Sequence, residues 1–177
     1  MSDHVREKAV HAADILNDLI GDLVGGTMLF RYWITEFQAG RVPETLMVNV
    51  QKICVSHLVL GLFKFTEFYQ RFNQVIPQEH SETCKALLAE INRKGAAEFR
   101  NKCVGHIWDN EQQRPLIQSE IMTRLDRLTG GDMPGFLNWI NKPTPDESPS
   151  TVVTVVETVR DALMSEYSIS SDEFIDR

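Results

Sequence analysis

The stretch between Pro43 and Pro77 constrains the fold most, because nothing between the two prolines interrupts a helical pattern. Pro43 and Glu44 suit the first turn of a helix, and Pro77 ends the pattern. Apolar residues recur every three or four positions, which predicts one helix of roughly thirty residues, long for a globular domain. The residues predicted to share its apolar face are Leu46, Val50, Ile53, His57, Leu60, Gly61, Phe68 and Phe72.

The remaining segments also show helical spacing, separated by glycine and proline signals. The sequence therefore predicts an all-α, single-domain helical bundle with one long central helix, covering residues 1–167, followed by an acidic, mobile tail at residues 168–177. The Thr27–Gln38 segment is apolar almost all round, which suits either a core helix or a helix that also packs on a second subunit. The other predicted helices are Asp3–Val24, ended by Gly25 and Gly26, then Ser81 onward with a bend at Gly95, Pro115–Leu128, Phe136–Ile140 and Thr151–Tyr167.

The Thr151–Tyr167 segment carries two conflicting signals. Its threonine and valine content favours a strand, whereas Val152, Val156 and Leu163 keep helical spacing. Because no second strand is predicted with which it could pair, we predict a helix.

The charge of the chain limits its function classes. Eighteen basic and 25 acidic residues give a net charge of −7, which argues against non-specific coating of nucleic acid. Three basic and eight acidic residues lie from Asn141 onward, so residues 141–177 carry −5 and residues 1–140 only −2. The sequence is therefore compatible with an RNA site that occupies only a small part of the surface.

The cysteines and the hydropathy pattern indicate the cellular compartment of the protein. Cys54, Cys84 and Cys103 are an odd number without C-x-x-C spacing, which is typical of reduced thiols. The N-terminus is polar, and no apolar run reads as a membrane span or signal peptide. These features predict a cytoplasmic protein that does not contact the membrane.

The segment Glu98–Trp108, with the sequence EFRNKCVGHIW, carries the most specific chemistry. Arg100 and His106 lie six residues apart. A helix over this segment would place Arg100 on a stripe with Ala96 and Cys103, and an arginine on an apolar face needs either a carboxylate or a polar cleft. His106 would lie about 120° round the helix and about 9 Å further along, unless Gly105 opens the helix.

This segment resembles the R-x4-6-H signature of the HEPN superfamily (higher eukaryotes and prokaryotes nucleotide-binding). Gly105–Asp109 and Phe136–Ile140 resemble its abortive-infection branch. The resemblance implies a helical bundle that acts as a metal-independent endoribonuclease, as a homodimer, in phage defence or in a toxin–antitoxin pair. It implies that Arg100 and His106 are catalytic, that Asn101 and Lys102 support them, and that RNA and an antitoxin are partners.

Two polar residues interrupt the predicted apolar face of the long helix. His57 and Lys64 lie seven residues apart on it. One interpretation is a hydrogen-bonded core histidine beside a lysine that extends its ammonium group to solvent. The other is that both side chains face the cleft that holds Arg100 and His106.

Other chemistries find little support. The chain has no H-E-x-x-H motif, no clustered cysteine and histidine ligands and no phosphate-binding loop, so neither a metal nor a cofactor is expected. A Cys103–His106 nucleophile–base pair would come from one helix, whereas such pairs usually come from different elements. The alternative to an RNase is a non-catalytic helical interaction or regulatory module, in which Arg100 and His106 only brace the bundle.

Overall fold

A computed structural model describes residues 3–105, 112–143 and 151–174. Within these ranges the chain forms seven α-helices and no strand, which confirms the all-α prediction. A π-helical turn, Arg100–Val104, continues the fourth helix, and a 3₁₀ turn, Ser171–Glu173, follows the seventh. The helices are Asp3–Gln38 (α1), Glu44–Phe72 (α2), Gln78–Arg93 (α3), Ala96–Phe99 (α4), Gln118–Thr129 (α5), Met133–Ile140 (α6) and Val152–Glu166 (α7).

The two longest helices, α1 and α2, form a hairpin at the centre of the fold. Helix α7 packs on the other side of α1, while α2 also touches α3, α4 and the π-helical turn. One continuous hydrophobic core joins these elements. Its largest fully buried side chains are Phe30, Phe65, Phe136, Leu16, Leu19, Leu23, Leu58, Leu62, Ile91, Leu128, Leu137 and Ile140.

Helix α1 corrects the prediction of two helices separated at Gly25 and Gly26. It runs through both glycines as one helix of 36 residues, which makes it longer than α2. A Cβ atom on Gly26 would lie 2.8 Å from the His57 ring and 2.9 Å from Leu58. Gly26 therefore permits close approach of α2 instead of ending the helix. Thr27, predicted as a cap, donates its hydroxyl to the carbonyl oxygens of Leu23 and Val24.

The apolar face of α2 also differs from the prediction. Three of the residues assigned to it, Leu46, Ile53 and Leu60, are 43%, 66% and 39% exposed. The helix is apolar on two sides, and packing on α1 buries only one of them, with Gly61 tight against Leu23. The residues that α2 buries are Cys54, Val55, Leu58, Val59, Gly61, Leu62, Phe65 and Phe68.

By length and composition, α2 passes as a membrane-spanning helix, which the sequence interpretation did not find. Its most apolar 18-residue window has a mean hydropathy of 1.6, and 39% of that window is buried in the fold. The core helix of a soluble protein can have the same composition, and α2 packs into the core along its Leu58–Leu62 side. The residues that the structure describes therefore leave most of this apolar window uncovered.

The C-terminal part of the chain packs on the helical domain as far as the structure describes it. Helix α7 confirms the helix predicted at Thr151, whose hydroxyl accepts a hydrogen bond from the Thr154 amide. Beyond it, Ile169 is 6% exposed within the core. Arg6 donates to the Glu173 carboxylate, with Nη2 2.7 Å from Oε2. The first part of the segment predicted as a mobile tail is thus held by one buried side chain and one ion pair.

Candidate active site

The candidate site begins at a left-handed glycine. Gly95 has φ +73°, a conformation that glycine adopts at little cost, and it separates α3 from α4. The segment predicted as one regular helix then changes type, because the Gly105 amide donates to the Arg100 carbonyl oxygen at 2.8 Å, five residues back. Such π-helical turns occur frequently at functional sites. The turn contains Arg100, Asn101, Lys102 and Cys103, the first four residues of the predicted motif.

Arg100 is half-buried and held by two neighbours. Its guanidinium carbon, Cζ, lies 4.8 Å from the centre of the Phe63 ring on α2. Its Nη1 donates a hydrogen bond of 2.8 Å to the Asn101 side-chain oxygen. No carboxylate among residues 3–105, 112–143 and 151–174 forms an ion pair with it. An aromatic ring and an amide therefore orient the guanidinium, and neither of these two neutral groups compensates its charge.

The two supporting residues predicted next to Arg100 differ in environment. Asn101 is exposed and accepts the hydrogen bond from Arg100. Lys102 is half-buried in the same π-helical turn. The supporting role that the resemblance implies for Asn101 stays a prediction, and its hydrogen bond with Arg100 is the contact that bears on that role.

His106, the second catalytic residue of the prediction, lies outside the described residues, as do Trp108 and Asp109. The described part of the motif ends at Gly105. The described residues therefore include only the arginine half of the candidate site.

His57 and Lys64 lie together, but around a third residue that the sequence interpretation missed. His57 Nε2 is 3.0 Å from the Asp22 carbonyl oxygen, and Lys64 Nζ is 2.6 Å from the Asp22 carboxylate. Their side chains are 45% and 56% exposed, so neither is a core residue. Both face α1, whereas Phe63, next to Lys64 and 100° round the helix, faces Arg100. Their described contacts therefore do not join them to the arginine.

Basic residues on α5 stand on the other side of the motif. Glu98 lies 2.8 Å from Arg127 Nη1 and 3.3 Å from Arg124 Nε. Since Glu98 and Arg100 are about 200° apart on a helix, this ion cluster and the Phe63 contact occupy opposite faces. The cluster links α4 to α5, and Arg100 is not one of its members.

Cys103 does not have the properties of a nucleophile. It is half-buried, and burial raises the pKa of its thiol, an effect larger than the opposing influence of Arg124. A raised pKa lowers the fraction of reactive thiolate at neutral pH. Cys84, which is fully buried, has a pKa raised by burial to about 11, and Cys54 is likewise buried.

The contact of Phe63 with Arg100 is the feature of the site that sequence reasoning did not predict. Phe63 is one of several phenylalanines in the second half of α2, and nothing in the pattern distinguishes the one that faces the motif. The same holds for Asp22, whose spacing from His57 and Lys64 is set by how α1 and α2 pack.

These elements define an all-α bundle with an arginine-bearing π-helical turn packed on its central hairpin. No family model matches the chain, and no curated protein matches it. Among solved structures, the chain is similar to the integron cassette protein Vpc_cass2 from the mobile metagenome of V. paracholerae, with a TM-score of 0.75 and 26% sequence identity. The alignment covers 92% of this chain and 97% of the other. The name of that protein states no activity, so the likeness supports the fold.

Proposed function

We propose that this chain is a metal-independent endoribonuclease of the HEPN type. The observation that carries the proposal is Arg100, a half-buried guanidinium oriented by Phe63 and Asn101 in a π-helical turn. A guanidinium presents a fork of donors that suits the oxygens of a phosphate. A role in phage defence or a toxin–antitoxin pair, with an antitoxin as partner, belongs to the same proposal.

In the proposed reaction, the ribose 2′-hydroxyl attacks the adjacent phosphorus as the bond from phosphorus to the 5′-oxygen breaks. A base takes the proton of the 2′-hydroxyl, and an acid returns a proton to the leaving 5′-oxygen. The products are a 2′,3′-cyclic phosphate and a 5′-hydroxyl. His106 takes the base or acid role, because an imidazole exchanges protons near neutral pH.

Arg100 stabilises the charge that develops on the equatorial oxygens of the pentacoordinate phosphate. Preorganised donors of this kind contribute most when they need not reorient during the reaction. The hydrogen bond from Nη1 to Asn101 and the ring beneath Cζ limit that reorientation. Asn101 is therefore a positioning residue, and Lys102 adds positive charge to the same turn.

Cleavage of RNA without metal is the first expected outcome. Purified protein incubated with total cellular RNA in EDTA should produce fragments that end in 2′,3′-cyclic phosphate, because the reaction uses the 2′-hydroxyl and needs no metal. Labelling of the new 5′-hydroxyl ends, before and after phosphatase treatment, identifies the product chemistry. Fragments with 5′-phosphate ends, or cleavage abolished by EDTA, would contradict the proposal.

The aromatic ring under Arg100 gives a second prediction. Phe63→Leu should lower the cleavage rate several-fold to about tenfold, because an exposed cation–π contact contributes roughly 0.5 to 1 kcal/mol and more when desolvated. Phe63→Tyr, which keeps the ring, should retain most of the activity. Single-turnover rates measured at saturating RNA check this, because a positioning defect lowers the rate of the chemical step. The melting temperature of the leucine variant should stay within a few degrees of the wild type.

A specific observation favours a second candidate function, the non-catalytic interaction module. Met28, Leu29 and Ile53 are 62%, 51% and 66% exposed on the α1–α2 hairpin, and exposed apolar clusters often mark protein-binding surfaces. A protein that binds a partner through this hairpin and leaves RNA intact in EDTA would establish this function instead.

A further inference from the structure

A groove lies on the solvent side of α2, between the loop that joins α1 to α2 and the candidate site. It has a volume of about 510 Å³, within the range of small-ligand clefts. The residues that line it, called here the α2 groove, are Asn49, Lys52, Ile53, Ser56, His57 and Leu60. Leu60 precedes Phe63 by three residues, about 4.5 Å along the helix. The groove therefore ends within one helical turn of the ring that holds Arg100.

One edge of the α2 groove is polar and lies in line with Phe63. Lys52 and Ser56 precede Phe63 by eleven and seven residues, so at 100° per residue both fall within about 20° of it round the helix. Lys52 is exposed and Ser56 is half-buried, and neither side chain forms an ion pair or hydrogen bond with the residues that the structure describes. An ammonium group and a hydroxyl group therefore follow the same stripe of α2 as the ring beneath Arg100.

The other edge of the α2 groove is apolar. Ile53 and Leu60 are 66% and 39% exposed, and they lie about 60 to 80° round the helix from Phe63. Beyond them His57 closes the groove on the side of α1, where its Nε2 lies 3.0 Å from the Asp22 carbonyl oxygen. The groove therefore presents a row of polar donors beside a row of apolar side chains.

The charge of the α2 groove differs from that of the whole chain. The chain has 25 acidic residues and a net charge of −7, yet the described residues that line the groove include one lysine and no carboxylate. On the other side of Phe63, four residues further along α2, Glu67 is exposed. A negatively charged chain held at Arg100 is therefore attracted in the direction of Lys52 and repelled in the direction of Glu67.

We propose that the α2 groove binds the part of an RNA strand next to the phosphate held by Arg100, a step that rests on the proposed function. Lys52 binds a phosphate of this strand, Ser56 donates its hydroxyl to the sugar–phosphate backbone, and the bases lie against Ile53 and Leu60. The two rows match a nucleotide chain, which has phosphates along one side and base faces along the other. The strand is single here, because the faces of paired bases are covered by their neighbours in a duplex.

The spacing along α2 sets which phosphate Lys52 binds. Eleven residues separate Lys52 from Phe63, which is about 17 Å along the helix. Lys52 therefore binds a phosphate that lies a few nucleotides away from the one that is cleaved. A protein partner would give no reason for an ammonium group and a hydroxyl group in line with Arg100.

Binding of an oligonucleotide that cannot be cleaved tests the polar edge without the reaction. A fluorescein-labelled strand of about 12 nucleotides with 2′-fluoro riboses lacks the attacking hydroxyl, and its anisotropy reports binding. Lys52→Ala should raise its Kd by about three- to tenfold and reduce the salt dependence of log Kd by about 0.7, the value for one lost phosphate contact. Lys85→Ala is the matched control, because Lys85 is 56% exposed and bound to Glu82 on α3. Its Kd should stay within about twofold of wild type, since salt screens distant charges.

Ile53→Ser tests the apolar edge. It should raise the Kd of the same strand about three- to tenfold and leave the salt dependence unchanged, because it removes apolar contact but no phosphate contact. Val5→Ser is its control: Val5 is 37% exposed at the start of α1, which lies beside the other end of α2, where Lys8 contacts Phe72. A wild type that does not bind the strand, or Lys52→Ala and Ile53→Ser variants that bind as tightly as their controls, would overturn the proposal.

Substrate length separates the groove from the reaction. A dinucleotide contains only the phosphate that is cleaved, so Lys52→Ala should leave its kcat/KM within about twofold of wild type. For an RNA of about 12 nucleotides the same variant should lower kcat/KM about three- to tenfold, through KM. An equal loss on both substrates would assign Lys52 to the reaction and overturn the proposal. Absence of cleavage of either RNA, with the expected losses of binding to the 2′-fluoro strand, would contradict the proposed function alone.

Discussion

Arg100→Ala is expected to lower the rate of RNA cleavage by about a hundred-fold or more, with little change in the stability of the fold. Removing one group that stabilises transition-state charge typically costs this much. His106→Ala should have an effect of similar size by removing proton transfer. Cleavage rates and thermal melts measured on the same preparations separate a catalytic role from a structural one.

The surroundings of Arg100 determine the expected effect on stability. Had a buried carboxylate faced it, alanine would leave that carboxylate unpaired at a cost of about 3 to 5 kcal/mol. Its described contacts are instead the Phe63 ring and the side chain of its neighbour Asn101. The variant should therefore melt within a few degrees of the wild type.

Two further variants serve as controls for Arg100→Ala. Arg127→Ala removes an arginine that is 57% exposed and bound to Glu98 on the opposite face of the motif, so cleavage should stay within a few-fold of wild type. Arg100→Lys keeps the charge but loses the forked donors, and it should recover only part of the rate. Unchanged cleavage by Arg100→Ala would assign the activity to a contaminant or to other residues, and the interaction module would then be the better proposal.

The fold class could be predicted from sequence because it depends on spacing within single segments. The pattern over Val152–Leu163 repeats every three or four residues, and this outweighed the strand preference of its threonines and valines. The helix is observed at Val152–Glu166. Helical periodicity is a property of the segment itself, so it does not depend on what the segment packs against.

The continuity of α1 through Gly25 and Gly26 could not be predicted, because a pair of glycines can either end a helix or lie inside one. Glycine ends a helix by adopting a left-handed conformation, as at Gly130, where φ is +71°. It also remains inside a helix where another backbone approaches closely, as at Gly26. Only the position of α2 distinguishes the two cases, and that position is a tertiary property.

The candidate site was chosen by its motif residues, and the sequence did not predict which residues of other helices they touch. Arg100 and Asn101 were selected by spacing and resemblance, and the structure shows them in contact. Phe63 and Asp22 come from other helices, and their distances to Arg100 and Lys64 depend on which side of α2 faces α1. An apolar periodicity on two sides of a helix does not fix that rotation, which is why Ile53 and Leu60 were assigned to the core.

The side of α2 that faces the core determines the second large expected effect, a loss of stability in Leu62→Ala. Leu62 is fully buried, and truncating a buried leucine to alanine costs about 2 to 5 kcal/mol through lost burial and the remaining cavity. In a chain of this size each kcal/mol lowers the melting temperature by about 2 to 4 °C. Chemical denaturation of the wild type and the variant measures this loss directly.

Leu60→Ala is the matched comparison, because it makes the same chemical change two residues away on a side chain that is 39% exposed. Its cost should stay below about 1 kcal/mol, as for most surface substitutions. Equal losses for both variants would mean that α2 buries Leu60 within its own chain, and the assigned core face would then be wrong.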